Sequence, residues 1–405
     1  MKYSLKRPYK FKLGGIDFIE NPAPGLAELR AIGPIVPIKI PMLGAIWVTT
    51  THAATEQVMK GKDQFFLEGQ NAGKKSGAVL PWWFPGFLRP LTNNMLGKDE
   101  PDHKRLRTLV DMAFRRRGVM DMRAGIEQRA HDLIDQMGPG SHDLVSNYAR
   151  KLPLEVICDL LGLTPQQRDQ FSDGASVLGE VDSVLKIPNL LWSLRKLHRC
   201  VDRLVNEARK DPQPGLMKDL IEAENAGDRL NQEELSAMIF LLLFAGMETT
   251  TNLISGAVWA LDQASDQKTW LMEDPENRRE QSVEELTRFV TSVAGTKPRY
   301  AGQDVEIQGV RIAKGERVMA LPLAANYDPT VFDTPEVLNV QRFPNPHLSF
   351  SAGIHFCLGL QLARVETQAA LQVLYERFPH LVCEKPVYLR RPGHRAVKSM
   401  KVMLT

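Results

Sequence analysis

Phe350-Ser351-Ala352-Gly353-Ile354-His355-Phe356-Cys357-Leu358-Gly359 sets one cysteine just ahead of a helical pattern, in a stretch able to turn tightly. Gly353 can adopt the positive φ of a sharp turn, and Gly359 leaves room for a flat ligand to approach closely. The helix expected from Leu358 to Arg377 aims its free N–H groups and positive dipole end at the sulfur. That field favours thiolate over thiol, and thiolate is the form that binds a metal. The bland alternative is a small buried cysteine before a helix. The flanking glycines and His355 weigh against it.

Working outward, the pattern from about Asn231 to Leu261 reads as one long helix. Asn231 and Glu234 have capping-box spacing, and the apolar run Met238 to Phe244 marks a helix buried nearly all round. Within it lies Ala245-Gly246-Met247-Glu248-Thr249-Thr250. A buried mid-helix acid is costly without a partner, and Gly246 weakens a helix by about 1 kcal/mol relative to alanine. Both make sense if the helix opens locally against a ligand. The plain alternative is a threonine bonded back to its own helix. Ser282 to Arg288 reads as the start of another helix, where Ser282 and Glu285 have cap spacing while Glu285 and Arg288 share a face. His103 and Arg107 also share a helix face, and Arg299 opens a strand.

Taken together, these motifs resemble the cytochrome P450 family from about Asp99 to the end of the chain. The resemblance implies one domain over residues 1–405, mainly α with small β-sheets, triangular in outline. It implies haem b (iron-protoporphyrin IX) with the Cys357 thiolate as axial ligand, Phe350 packed beside it, and Ala245 and Gly359 against the cofactor. His103, Arg107, Arg299 and His355 become clamps for the two propionates, where charge-assisted hydrogen bonds are strong. Glu248 and Thr249 become the acid–alcohol pair that relays protons during oxygen activation. Glu285, Arg288 and Arg342 become a buried structural network. Three positions depart from the family's pattern: Ser351 stands where glycine is usual, Asn339 where aspartate is, and Leu338 where phenylalanine is common.

The implied activity is that of a monooxygenase acting on a hydrophobic small molecule with O2 and two electrons from NAD(P)H. Those electrons would come through a separate ferredoxin or flavodoxin and its reductase, since no flavin or nicotinamide domain is legible. Arg115-Arg116-Arg117, with Lys104 and Arg105 nearby, is either a solvated face or a dock for that acidic carrier. Trp82, Trp83 and Phe84 fall in the family's variable distal loop, and Val293 and Ala294 would line the same cavity, as would part of 174–192. The rival readings are a peroxide-driven haem-thiolate enzyme, a non-catalytic haem protein and a cysteine-nucleophile hydrolase. An intact Glu248-Thr249 pair argues against the first, and the lack of a legible histidine–acid partner set argues against the last.

Bulk composition agrees. Lys and Arg number 51 against 48 Asp and Glu, a net of +3 that gives no sign of a nucleic-acid binder. Cys158, Cys200, Cys357 and Cys383 are scattered, which excludes an iron–sulfur or zinc-ribbon spacing and fits a reducing, cytoplasmic setting. The N-terminus lacks an apolar signal core, and no apolar run reaches the ~20 residues of a membrane span, so no membrane anchor is expected. Ile35 to Ile40 and Ile46 to Thr50 read as two strands around Pro41 to Ala45, and Val305 to Ile312 as a hairpin around Gln308-Gly309.

Overall fold

The computed structural model describes residues 3–41, 43–73, 94–115, 118–176, 187–225, 230–391 and 393–405. The chain divides into two compact bodies, each built from separate stretches of sequence. One takes Met1–Gly77, Asn252–Leu360 and Tyr375–Thr405; the other takes Ala78–Thr251 and Gln361–Leu374.

The first body carries a five-stranded sheet in the order Ile35–Ile40, Gly44–Thr49, Arg317–Met319, Arg299–Ala301, Phe65–Phe66. The first two strands pair antiparallel, with Ile35 opposite Thr49 and Ile40 opposite Gly44. Pro37 is tolerated because its strand lies at the edge of the sheet. One apolar cluster includes Ile35, Trp47, Val58, Phe65 and Val318, and a second includes Leu26, Val36, Ile46, Val48 and Leu321. The hairpin Val305–Ile307 to Val310–Ile312 turns on Gln308 at φ 46° and Gly309 at φ 80°. Those paired positive values are what a two-residue turn between twisted strands requires.

The helix His52–Lys60 starts on Thr51, whose hydroxyl accepts a hydrogen bond from the Ala54 N–H. At its other end, Arg299 Nη1 donates to the last-turn carbonyls of Val58 (2.9 Å) and Met59 (3.0 Å). A buried cation thus satisfies carbonyls that the helix leaves open.

The second body holds the helices Asp102–Arg115, Arg123–Met137, Lys151–Leu161, Pro165–Ser176, Ile187–Lys210 and Leu216–Asn225 together with the first part of the long helix Gln232–Asp262. The long helix begins with a full capping box: Glu234 N–H donates to Asn231 Oδ1 (2.9 Å), and Asn231 N–H donates to Glu234 Oε2 (3.0 Å). Arg105 donates to the same Glu234 carboxylate, so it serves an ion pair within the fold.

Two expectations need correction. The long helix is uninterrupted, so Gly246 does not mark a local opening. A Cβ there would come within 3.1 Å of Ile157 Cγ1, and the glycine accommodates that helix crossing instead. The helix at Ser282 begins earlier, at Pro275, which makes Ser282 an interior residue and removes its capping role. By length and composition alone Gln232–Asp262 could cross a membrane, but 72% of its most apolar window is buried in the fold, as for a core helix.

The strongest tie in the first body is electrostatic. Glu285 and Arg288 are fully buried, joined by two hydrogen bonds of 2.7 Å. Arg342 Nε donates to both Glu285 oxygens (3.2 and 3.1 Å), and Asn345 Nδ2 and the Asn339 N–H donate to them as well (both 3.1 Å). Arg288 also binds the carbonyls of Asn326 (2.7 Å) and Pro335 (2.8 Å). Asn339 in place of aspartate costs nothing here, because its contribution to Glu285 is a backbone N–H. Phe332 lies under both guanidinium groups, 5.2 Å from Arg288 and 5.9 Å from Arg342. Removing the carboxylate charge strands two cations, so Glu285→Gln is expected to cost about 3 to 5 kcal/mol. A urea denaturation midpoint equal to that of the parent would contradict this.

Candidate active site

The loop around Cys357 is closed by its own backbone. Cys357 N–H donates to the Phe350 carbonyl (2.9 Å), Phe356 N–H to Gly353 (3.1 Å) and Ser351 N–H to Leu348 (2.9 Å). Such a tight path forces left-handed residues, and Ser351 has φ 65° and Gly353 φ 71°. Ser351 therefore carries a side chain where glycine is the unstrained choice. Gly353 is required for space as well, since a Cβ there would sit 2.7 Å from the Met59 carbonyl oxygen. The loop thereby meets the same helix end that Arg299 caps.

Neighbouring side chains hold the approach to the loop. Ser349 Oγ donates to the Thr287 carbonyl (2.8 Å), Asn326 Nδ2 donates to Ser349 Oγ (2.7 Å) and Leu348 N–H donates to Asn326 Oδ1 (2.8 Å). His347 reaches Glu284 (3.2 Å), and its ring lies 5.6 Å from that of Phe350. Loop and Glu285 network are thus parts of one connected set of bonds.

Helix Leu360–Arg377 starts two residues later than the sequence pattern gave, because Leu358 and Gly359 complete the turn. Cys357 lies three residues ahead of it, half-buried. The other three cysteines are poorer ligands. Burial pushes the Cys158 and Cys383 thiols up to about 12, and burial raises that of Cys200. A Cβ on Gly359 would meet nothing within 4 Å, so there is open space beside the loop. A soft sulfur donor with open space at its side fits a haem iron.

The remaining candidates fall as follows. Arg299 is buried, and His355 ends a short 3-10 turn at Gly353–His355. In the second body, His103 is buried on the helix Asp102–Arg115, and Arg107 Nε lies 3.6 Å from Asp111. Thr249 Oγ1 donates to the Ala245 carbonyl (2.8 Å), the back-bonded arrangement, and Glu248 is half-buried beside it. Val293 forms an isolated bridge with His394, and Ala294 packs against the second apolar cluster. Trp82, Trp83 and Phe84 lie outside the described residues, as do Arg116 and Arg117.

Sequence reading missed Glu366. It is fully buried, hydrogen-bonded to Thr250, and its Oε2 has no partner. Burial, opposed by the Thr250 hydrogen bond, holds its carboxyl well above the usual range and so favours the protonated form. A signal existed: Glu366 shares the apolar stripe of Leu362, Ala369, Ala370 and Val373 at helical spacing.

Comparison with known proteins agrees with this geometry. The cytochrome P450 family model matches residues 279–395. The polyketide biosynthesis cytochrome P450 PksS of Bacillus subtilis (strain 168) is 37% identical over 293 residues, 72% of each chain. A solved PksS structure superposes with TM-score 0.87 at 31% identity, covering 98% of this chain and 100% of that one. Mycinamicin IV hydroxylase/epoxidase of Micromonospora griseorubida is 35% identical over 355 residues, 87% of each chain. P450BioI, solved in complex with hexadec-9Z-enoic acid ligated acyl carrier protein, gives TM-score 0.84 at 32% identity, covering 96% and 99%. This chain belongs to the cytochrome P450 family. It is a haem-thiolate monooxygenase, with protoporphyrin IX ligated by a cysteine.

Two measurements test the site. Ser351→Gly relieves a left-handed side chain and is expected to add about 0.5 to 1 kcal/mol, while Gly353→Ala is expected to destabilise the protein and impair haem retention. A stabilised Gly353→Ala variant would contradict the geometry. For Glu366, the unfolded chain releases its proton above about pH 5 while the folded state keeps it, so stability falls as pH rises. The melting temperature of Glu366→Gln relative to the parent is expected to climb from pH 5 to 8 (about the range the linkage covers). Parallel curves would show that Glu366 is ionised in the folded protein.

Proposed function

We propose that this monooxygenase uses Cys357 as its axial ligand, oxidises a hydrophobic organic molecule, and acts as one catalytic domain over residues 1–405 in the cytoplasm. The observation that carries the ligand assignment is the strained loop, which sets a half-buried thiol beside open space, while burial raises the thiols of the other three cysteines. When bound, haem supplies reductive activation of O2, with one oxygen atom going into the substrate and the other to water.

The chain's own residues do the rest. The N-terminal end of Leu360–Arg377 favours the anionic form of the Cys357 sulfur, the form that would hold the haem iron. Arg299, His355, His103 and Arg107 supply the positive hydrogen-bond donors suited to two propionates, with Phe350, Gly359 and Ala245 against the ring. The Thr249 hydroxyl, oriented by its bond to the Ala245 carbonyl, passes protons drawn through Glu248. Val293 and Ala294 belong to the apolar wall of the substrate cavity, with Trp82, Trp83 and Phe84 from the variable loop. Electrons come from NAD(P)H through a ferredoxin or flavodoxin and its reductase.

The name of PksS supports a polyketide-like substrate, and the P450BioI complex supports an acyl chain delivered on a carrier protein. Thr249→Ala separates the proton role from the rest: NAD(P)H consumption is expected to continue while product falls about tenfold or more, with peroxide-driven turnover largely kept. Equal losses in both reactions would remove Thr249 from proton delivery.

A further inference from the structure

The helix Ile187–Lys210 has two unlike faces. Leu197, Val201, Leu204 and Val205 are buried at 0–1% exposure and seat it on the second body. Trp192, Arg195, Lys196, Arg199 and Arg203 all point outward. Their spacing of i, i+3, i+4, i+7 and i+11 makes one stripe about 16 Å long. Along it runs a cleft of about 300 Å³, which Gln170 and Cys200 also line.

Four cations on one stripe repel one another, and a nearby acid would ordinarily offset them. Among the described residues none of the four pairs with a carboxylate. The helix's own acids are engaged elsewhere: Asp202 lies 3.3 Å from His198, and Glu207 accepts from Gln167 Nε2 (2.9 Å). Asp169 of the adjacent helix is exposed and joins none of their ion pairs. Trp192 stands 65% exposed with only Lys196 Nζ over its ring, at 5.9 Å. The stripe concentrates four positive charges on a chain whose net charge is only +3. A large aromatic beside arginines is the composition of an interface anchor, and an uncompensated cationic stripe accelerates encounter with an acidic partner.

We propose that this stripe is the docking surface for an acidic carrier protein that presents a thioester-tethered acyl chain. Its length and straightness suit an acidic helix laid alongside, with Trp192 as the apolar anchor at one end. The assignment rests on the carrier-delivery reading above and adds the surface that would perform it.

The test titrates fluorescently labelled, hexadecanoyl-loaded bacterial acyl carrier protein with the haem-loaded enzyme, read by anisotropy at low and high salt. The comparison uses a combined Arg195→Glu, Arg199→Glu, Arg203→Glu variant and, separately, Trp192→Ala, which leaves the charge intact. Affinity is expected to fall with salt, about tenfold or more in the charge-reversed variant and severalfold in Trp192→Ala. The carbon monoxide spectrum and turnover of a free fatty acid should stay unchanged in both. Equal affinity for parent and charge-reversed enzyme overturns the proposal. So does an equal loss in ferredoxin-driven electron transfer, which would mark the stripe as the redox dock, and so does an equal loss in binding to phosphatidylglycerol vesicles. A docked carrier whose acyl chain leaves the haem spectrum unmoved upholds the surface and sinks the carrier-delivery reading, so the two fail separately.

Discussion

A single backbone hydrogen bond, from Cys357 N–H to the Phe350 carbonyl, closes the loop on which the chemistry depends. Closing so short a ring demands two left-handed residues, and one of them must be glycine because the Met59 carbonyl occupies the space a side chain would need. The loop is therefore strained locally and is held from outside. Arg299 fixes the helix end that Gly353 abuts, while Ser349, Asn326 and His347 fasten the chain leading into the loop. Behind these stands the buried Glu285 carboxylate with its two arginines. Local strain at the ligand is balanced by a desolvated ionic network, a pairing expected where geometry must be kept for chemistry.

The motifs readable from the sequence were those whose chemistry is carried by residue type at short range. A cysteine between glycines, an acid–alcohol pair and a Glu-x-x-Arg step each sit within one or two turns of backbone. Strands and turns bounded by glycine and proline were legible for the same reason, and the Gln308-Gly309 hairpin shows it. Failures came where packing decides. Gly246 was read as a weak point, whereas a crossing helix needs the space. Ser282 had the spacing of a cap, but Pro275 starts that helix seven residues earlier. Glu366 went unnoticed because an acid on an apolar stripe carries no motif, and only burial reveals that its carboxyl is raised.

The buried polar groups divide into two kinds. Glu285 sits in a dry interior and collects donors from four residues. Glu366 has one hydrogen-bonding neighbour and an unpartnered oxygen, and holding a proton is its cheapest state. His394, bridged to Val293, behaves like the second kind: burial lowers its imidazole to about 4 and keeps it neutral.

The proposed function rests on Cys357 being the sulfur that holds the iron. The direct measurement is the absorption spectrum of the purified, dithionite-reduced protein under carbon monoxide, for the parent chain and for Cys357→Ala. The parent is expected to show the red-displaced Soret band of thiolate-ligated haem, and the variant is expected to lack it. A parent without that band, or a variant that retains it, would contradict the account at its root.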